Sequence, residues 1–496
     1  MPKPLPEFVR FLNEELKCVL LLRGDAFDFE YFIMDLSGWK LRFSDRTPVV
    51  WIEARRLAAT PTDELVAAVQ AMLHNQYYTQ RLPILLLDGR SPPLRDAVRL
   101  RLPYCALLDE DDVRQAMAKP VSERHLLELL CSQLPLASLS PYEISSPVTG
   151  SRFFGREYEL RTILGHHETN YALVGVRRIG KSSLLLELKR RLEAMGHQAV
   201  HFFDCTDFGT AEDYIRAVAT EVDVRERQRM SLQQFPNFLR VKSHKGRSPL
   251  VFLLDEVEHL IEVDRPARMA LFDVLRASAI KGFCRYIMTG YRLLIDETLN
   301  ANSPLFNFVT RQPIGNLTRD DTERLIVVPL ENLGVSFERR SELLGQIYRQ
   351  TAGHPNYVQF YCHSLVQLMD RDNRRRIGPQ DLAVVHTDPE FERYVFRTFT
   401  ANTNDLEKAV VYAMVLDGVE AFTTRDVDVA LKRRRAFATS IQIDQACDKL
   451  LTACVLDKQG QSFLFAIPIL NQLLKDHYDL DYLFGKARED GKLAAR

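Results

Sequence analysis

Residues 171–192 read YALVGVRRIGKSSLLLELKRRL, and the middle of that stretch, Gly175 to Ser182, has the spacing G-x-x-x-x-G-K-S. Four apolar residues, Tyr171 to Val174, precede it, and helix-forming residues follow Ser182. A strand, a glycine-bounded turn and a helix in that order make a phosphate-binding loop. Gly175 and Gly180 permit the tight turn that aims successive N–H groups at phosphate oxygens, and the helix start adds partial positive charge. The run Gly175, Val176, Arg177, Arg178, Ile179, Gly180, Lys181, Ser182 and Ser183 is therefore expected to cradle a nucleotide. Lys181 is expected to meet the β- and γ-phosphates, and Ser182 to ligate magnesium.

A second motif, LVFLLDE at 250–256, is an apolar strand that ends on two carboxylates. Asp255 is expected to hold magnesium through its outer shell, and Glu256 to orient and deprotonate an attacking water. The next apolar run, RYIMTG at 285–290, ends on Thr289, whose hydroxyl is placed to sense the γ-phosphate. Glu256, Lys181 and Thr289 are thus the expected catalytic set, Ser182 and Asp255 the metal pair, and ATP and Mg2+ the cofactors. Upstream, Arg156 stands in FFGREYEL (153–160), where Phe154 and Gly155 place it near the base.

Outward from these motifs the chain is long, 496 residues, which implies about two to four domains. With 46% hydrophobic and 26% charged residues it has the balance of a globular protein, not a disordered one. A net charge of -1 excludes a general electrostatic pull toward nucleic acid or anionic lipid. The eight cysteines form no C-x-x-C pair, which suggests neither zinc nor disulfides and fits a reducing compartment. Glu7, Glu14 and Glu15 precede a very short apolar run, unlike the basic start of a secretory signal. No apolar run approaches the ~20 residues of a membrane span. A cytoplasmic location without membrane contact is the expectation.

Apolar runs at 18, 49, 84 and 105 alternate with helical stretches such as TDELVAAVQAMLHNQYY, so residues 1–136 read as a small α/β domain. Pro and Ser crowd 137–152, which reads as a linker. Strands and helices alternate over 153–315, implying a parallel sheet wrapped by helices. The strand signal is lost over 316–395. There Leu343, Leu344, Ile347 and Tyr348 share a helical face, Thr318 with Asp321 marks a helix start, and Pro329 marks a stop. Residues 396–496 read as three helices, then a hairpin around DKQGQS, then a tail, which is the order of a winged helix. The fold class is α/β and multi-domain.

The ordered set FFGREYEL, VGVRRIGKSSLL, VFLLDEVE, MTG and AGHP (352–355) resembles the STAND and archaeal-type ATPases among the AAA-related P-loop proteins. The resemblance covers residues 153 to about 475. It implies a five-stranded sheet with the loop strand between the fifth and fourth strands, a helical lid and a winged helix closing over the nucleotide. It further implies that the turn Gly353–His354–Pro355 lies at the lid, with Pro355 beside the nucleotide, in place of a second sensor arginine. His354 holds the variable position and is expected to act locally. No arginine finger is assigned, Arg292 and Arg311 being the candidates.

The leading functional expectation is an ATP-operated switch that hydrolyses slowly and self-associates with ATP. A winged-helix DNA-binding ATPase similar to origin-recognition loaders is one rival, and a scaffold that holds ATP without hydrolysis is another. The basic run Lys432, Arg433, Arg434, Arg435 could touch a phosphate backbone but reads first as a charge complement to a helix C-terminus and a solvated surface, and Asp444 and Asp448 on the third helix oppose the DNA reading. Arg374, Arg375 and Arg376 form a similar run in the lid. In the first domain Asp25, Asp28 and Glu30 cluster, but Glu53 is followed by Ala54 and Arg55 instead of a nuclease lysine, and Asp88 ends a strand. That domain is expected to bind a protein partner.

Overall fold

The computed structural model describes residues 6–42, 46–75, 82–118, 122–197, 199–223, 230–244 and 249–493. The sequence readings at Met1 to Leu5, at Gln76 to Tyr78 and at Gln198 lie outside them.

The first domain is built on a mixed sheet of β1 (Val19–Ala26), β2 (Phe29–Asp35), β3 (Thr47–Ile52), β4 (Ile84–Leu87) and β5 (Ala106–Leu108), in that spatial order. β1, β2 and β3 run antiparallel, and β3, β4 and β5 run parallel. The parallel steps are crossed by helices Thr62–Asn75 and Pro92–Arg101, as parallel pairing requires.

The second sheet is wholly parallel. Its strands are β6 (Tyr171–Val174), β7 (Val200–Asp204), β8 (Leu250–Asp255), β9 (Cys284–Gly290) and β10 (Thr310–Pro313), in the order β10-β6-β9-β8-β7. The loop strand β6 thus lies between the fifth and fourth strands of this sheet. β6, β8 and β9 are buried along their whole length, because helices cover both faces, and so they read as continuous apolar runs. Alternate residues serve opposite faces. Leu173, Leu253 and Ile287 meet Leu184, Leu185 and Leu188 of the helix after the loop, while Val174, Leu254 and Met288 face the cluster of Tyr214, Ile215 and Phe272.

Beyond β10, helices Arg319–Asn332, Arg340–Thr351, Pro355–Arg371 and Pro379–His386 pack together. Thr318 caps the first, its hydroxyl accepting from the Asp321 N–H at 3.2 Å. Pro329 does not stop that helix, which continues to Asn332. A proline in the last turn forfeits only one backbone bond, and the stop falls at Gly334, whose φ of 72° lets the Val335 N–H return to the Leu330 carbonyl.

Residues 137–152, read from composition as a linker, pack on the core. Tyr142 is buried and donates to the Ile326 carbonyl at 2.8 Å, the Val148 N–H donates to the Ser183 hydroxyl at 3.0 Å, and the Gly150 N–H to Glu187 at 3.0 Å. Pro and Ser interrupt regular structure there, yet the backbone polar groups are satisfied by the core instead of by water.

Past the Pro389–Asn402 helix come helices Asp405–Asp417, Thr424–Arg433 and Ser440–Thr452. Each of these three begins with a reciprocal capping box, on Asn404 with Glu407, Thr423 with Asp426, and Thr439 with Gln442. Strands Leu456–Gln459 and Ser462–Phe465 follow, and Ala421–Phe422 adds a third strand to the hairpin. Among the described residues no helix is long and apolar enough to cross a membrane.

Candidate functional site

β6 delivers its last residue, Val174, to a loop whose curvature rests on two glycines. The Gly175 N–H donates to the Gly290 carbonyl at 3.2 Å, and a Cβ on Gly175 would stand 2.5 Å from the Ile314 carbonyl oxygen. Gly180 has φ 96°, and a Cβ there would project into open space. The loop is therefore tied to β9 and to the exit of β10 beneath, and left clear above, where the Lys181–Ala194 helix begins with free N–H groups.

Lys181 is 4% exposed, and its ammonium donates to the carbonyls of Gly175 at 2.8 Å and Val176 at 2.9 Å. Burial pulls its pKa down, opposed by the nearby Glu256 and Asp255. Across the sheet, β9 lies between β6 and β8, so Thr289 reaches sideways to the end of β8. Its hydroxyl donates to Asp255 and accepts from the Glu256 N–H at 3.0 Å. Thr289 is buried, and its hydroxyl makes both of these bonds inside the protein. It positions the Asp255 carboxylate and the Glu256 backbone, a role the expectation of a γ-phosphate contact did not include.

Glu256 has left-handed backbone, φ 47°, a strained conformation for a residue with a side chain. Burial raises its pKa above the ordinary glutamate value, Lys181 opposes that rise, and Asp255 adds to it. Two residues on, Glu258 accepts from the Leu293 N–H at 2.6 Å and caps the helix that follows β9.

A cleft opens over the loop, walled by Gly180 to Ser183, Glu256, Arg178, Phe153, Phe154, Leu317, Pro355 and the segment Glu143 to Val148. Ser183, the last residue of the run expected to cradle the nucleotide, has its hydroxyl engaged by the Val148 N–H. Arg156 lies at this cleft, but its guanidinium is not free for a base. It donates to the Ile179 carbonyl at 3.2 Å, to the Gly315 carbonyl and to Glu159 at 3.3 Å, clamping the loop to the exit of β10. Because Arg156 is 7% exposed, carbonyl partners inside the fold compensate its lost hydration.

At the lid turn the Leu317 N–H donates to the Gly353 carbonyl at 2.9 Å. Gly353 has φ 70°, and a Cβ would stand 2.6 Å from the Leu317 oxygen. Gly353→Ala should lower stability by roughly 1–3 kcal/mol, read as a shift of the urea midpoint at unchanged slope. His354 beside it is buried and stacked on Tyr357 with ring centroids 4.2 Å apart. Burial, with help from Arg156 and Arg178, pushes its pKa down to about 3, so it stays neutral.

Two contacts that local sequence does not announce join the C-terminal region to the loop. The Arg177 N–H donates to Asn402 at 2.9 Å, and Arg292, three residues past Thr289, pairs with the buried Glu407 and donates to the Asn402 carbonyl at 2.7 Å. Arg292 is thus engaged within the chain and unavailable as a finger in this arrangement. Arg311 is exposed on the edge strand β10.

The donor set fits a nucleotide with magnesium: free helix N–H groups, a buried lysine, a serine hydroxyl and one carboxylate. Among the described residues no group of three or more His, Cys, Asp or Glu could hold a metal alone. Two oxygen donors suit magnesium, which keeps water and phosphate ligands.

Several solved structures are similar to this chain. A Walker-type ATPase of Pyrococcus abyssi shares 14% identity, covering 67% of this chain and 99% of its own, with a TM-score of 0.49. The Aeropyrum pernix ORC2 protein, in ADPNP–ADP complexes, shares 12%, covering 68% and 93%, with a TM-score of 0.47. The Aeropyrum pernix ORC1 protein, in complex with DNA, shares 17%, covering 65% and 93%, with a TM-score of 0.37. No curated protein matches the chain in sequence. The family model for novel STAND NTPase 1 matches residues 135–385, from the packed segment before the loop to the last lid helix. With its phosphate loop on a parallel sheet, the chain is a nucleotide-binding P-loop NTPase and belongs to the novel STAND NTPase 1 family.

Proposed function

We propose that this protein is an ATP-operated switch with slow hydrolysis. Lys181 and the N–H groups of Gly180 to Ser183 hold the triphosphate, and the apolar wall of Phe153, Phe154 and Leu317 receives the base. Ser182 and Asp255 would hold magnesium, which screens the phosphate charge. Glu256 accepts a proton from the attacking water while Thr289 fixes its backbone. Residues 405–465 act as a winged helix that, with the lid, closes on the nucleotide.

The observation that carries this reading is the bond from the Arg177 N–H to Asn402. A loop residue beside the phosphates is held by the end of the helix that leads into the C-terminal region, so a ligand that reshapes the loop acts directly on that region. The basic run does not favour the DNA rival, because Lys432 pairs with Asp428, and Arg433 and Arg434 both pair with Asp417. In the lid, Arg374 pairs with Asp381 and Arg375 donates to the Leu333 and Cys131 carbonyls. The first domain binds a protein partner, and ATP favours self-association.

Lys181→Ala should weaken ATP binding by about a hundredfold, the loss of charge-assisted bonds to phosphate. Calorimetry with ATP and magnesium reads that loss. Small-angle scattering of the parent chain with ATP and with ADP tests the switch: identical profiles in both, with ATP bound, would overturn it.

A further inference from the structure

A second cavity, of about 630 Å³, lies on the other side of Arg178 from the nucleotide cleft. Arg177 and Arg178 of the phosphate loop form one wall. The opposite wall is one face of the Pro389–Asn402 helix, which presents Arg393 and Arg397 a turn apart. All four arginines are exposed, and one carboxylate, Glu390, lines the same space. Arg178 lies over the Tyr394 ring at 4.8 Å, and Tyr394 packs on Phe360 with centroids 4.6 Å apart, giving the cavity an aromatic floor.

Other arginine pairs in this chain share a carboxylate. Arg190 and Arg191 share Glu187, and Arg433 and Arg434 share Asp417. Among the described residues Arg177, Arg393 and Arg397 make no ion pair and no side-chain hydrogen bond. Like charges gathered around one recess repel one another, and an anion between them relieves that cost.

We propose that this cavity is a second anion site, separate from the nucleotide cleft, which takes a small molecule carrying two or more phosphate charges. Four guanidinium groups around one recess match a ligand with more than one phosphate charge, because each fork donates in parallel to phosphate oxygens. The volume falls in the range of small-ligand pockets, and the recess between loop and helix, over an aromatic floor, suits a compact ligand better than a nucleic-acid backbone. Such a ligand would bridge the loop to the helix that ends on Asn402, and so would hold together the contact on which the switch reading rests.

The test uses the full chain saturated with the non-hydrolysable analogue AMP-PNP and magnesium, so that the nucleotide cleft is filled first. Inorganic pyrophosphate is then titrated by calorimetry, with a twelve-residue single-stranded DNA as a parallel arm. We expect one pyrophosphate per chain, weakened at least about tenfold in Arg393→Glu/Arg397→Glu, with AMP-PNP affinity changed less than about twofold. A neutral pair, Arg393→Gln/Arg397→Gln, should give an intermediate loss and guards against misfolding from charge reversal. No pyrophosphate binding, or binding equal in parent and variants, overturns the site. Binding of the oligonucleotide alone overturns the small-molecule ligand. Failure of AMP-PNP to bind in the first step overturns the ATP reading instead, and is seen before pyrophosphate is added.

Discussion

Glu256→Gln should slow ATP hydrolysis by about a hundredfold to ten-thousandfold while leaving ATP affinity close to that of the parent. The carboxylate stands at the end of β8 with its backbone fixed by Thr289, beside the buried Lys181. Glutamine keeps the shape and the backbone bond but cannot take a proton from water. Because burial raises the Glu256 pKa, the base is nearer to neutrality than an exposed glutamate, and hydrolysis should fall as pH drops through that raised value. Stability moves the other way. The folded state binds this proton more tightly than the unfolded chain does, so the group's contribution is fully present below the unfolded pKa and is lost as pH rises through the folded one. At neutral pH the glutamine variant, with no charge to bury, should therefore melt at a higher temperature than the parent. Phosphate release across a pH series, with thermal melts on the same samples, reads both effects. Parent-like turnover would sink the assignment of the base.

The parts of the site that lie close together in the chain were legible from residue types alone. Gly175, Gly180, Lys181 and Ser182 announce a phosphate loop because the backbone geometry that binds phosphate demands glycine at the turn and a helix immediately after. Asp255 and Glu256 were legible because an apolar strand ending in two carboxylates, an ordinary strand end by itself, gains meaning once a phosphate loop precedes it in the chain. Thr289 was found by its place at a strand end, yet its use was not. Only the sheet order, with β9 between β6 and β8, shows that its hydroxyl bridges to Asp255. Asn402 and the Arg292–Glu407 pair gave no signal, since their partners lie 225 and 115 positions away. Residues 137–152 misled for a related reason. Composition records that Pro and Ser break helices and strands, but not that Tyr142, Val148 and Gly150 find their hydrogen-bond partners on the core. Arg156 was placed at the cleft from its motif, while its two carbonyl partners, Ile179 in the phosphate loop and Gly315 past β10, were invisible until the fold brought β10 beside that loop.

Arg292→Ala should destabilise the protein by about 3–5 kcal/mol, the range for stripping one partner from a buried ion pair. The Glu407 side chain is 0% exposed and that of Arg292 27%, so the variant leaves a carboxylate inside the fold with the Asn404 N–H, at 3.1 Å, as its nearest remaining donor. The position of Arg292 makes the loss more than a local one. Its guanidinium links the end of β9, beside Thr289, to the start of the Asp405–Asp417 helix, and also holds the Asn402 carbonyl whose side chain grips Arg177. Removing it should loosen residues 403–493 from the nucleotide-binding core before the core itself unfolds. Hydrogen exchange should then rise first in the Asp405–Asp417 helix and in the backbone at Arg177, with β8 and β9 protected until global unfolding. The double variant Arg292→Met/Glu407→Gln separates charge from packing. It keeps the capping box at Asn404, buries no unpaired charge, and should recover most of the lost stability. If the double variant is as stable as the parent yet exchanges as fast at Arg177 as Arg292→Ala does, the ion pair is a coupling element between loop and C-terminal region. If exchange at Arg177 returns to the parent rate, packing alone maintains the contact, and the charge pair serves only to seat the helix.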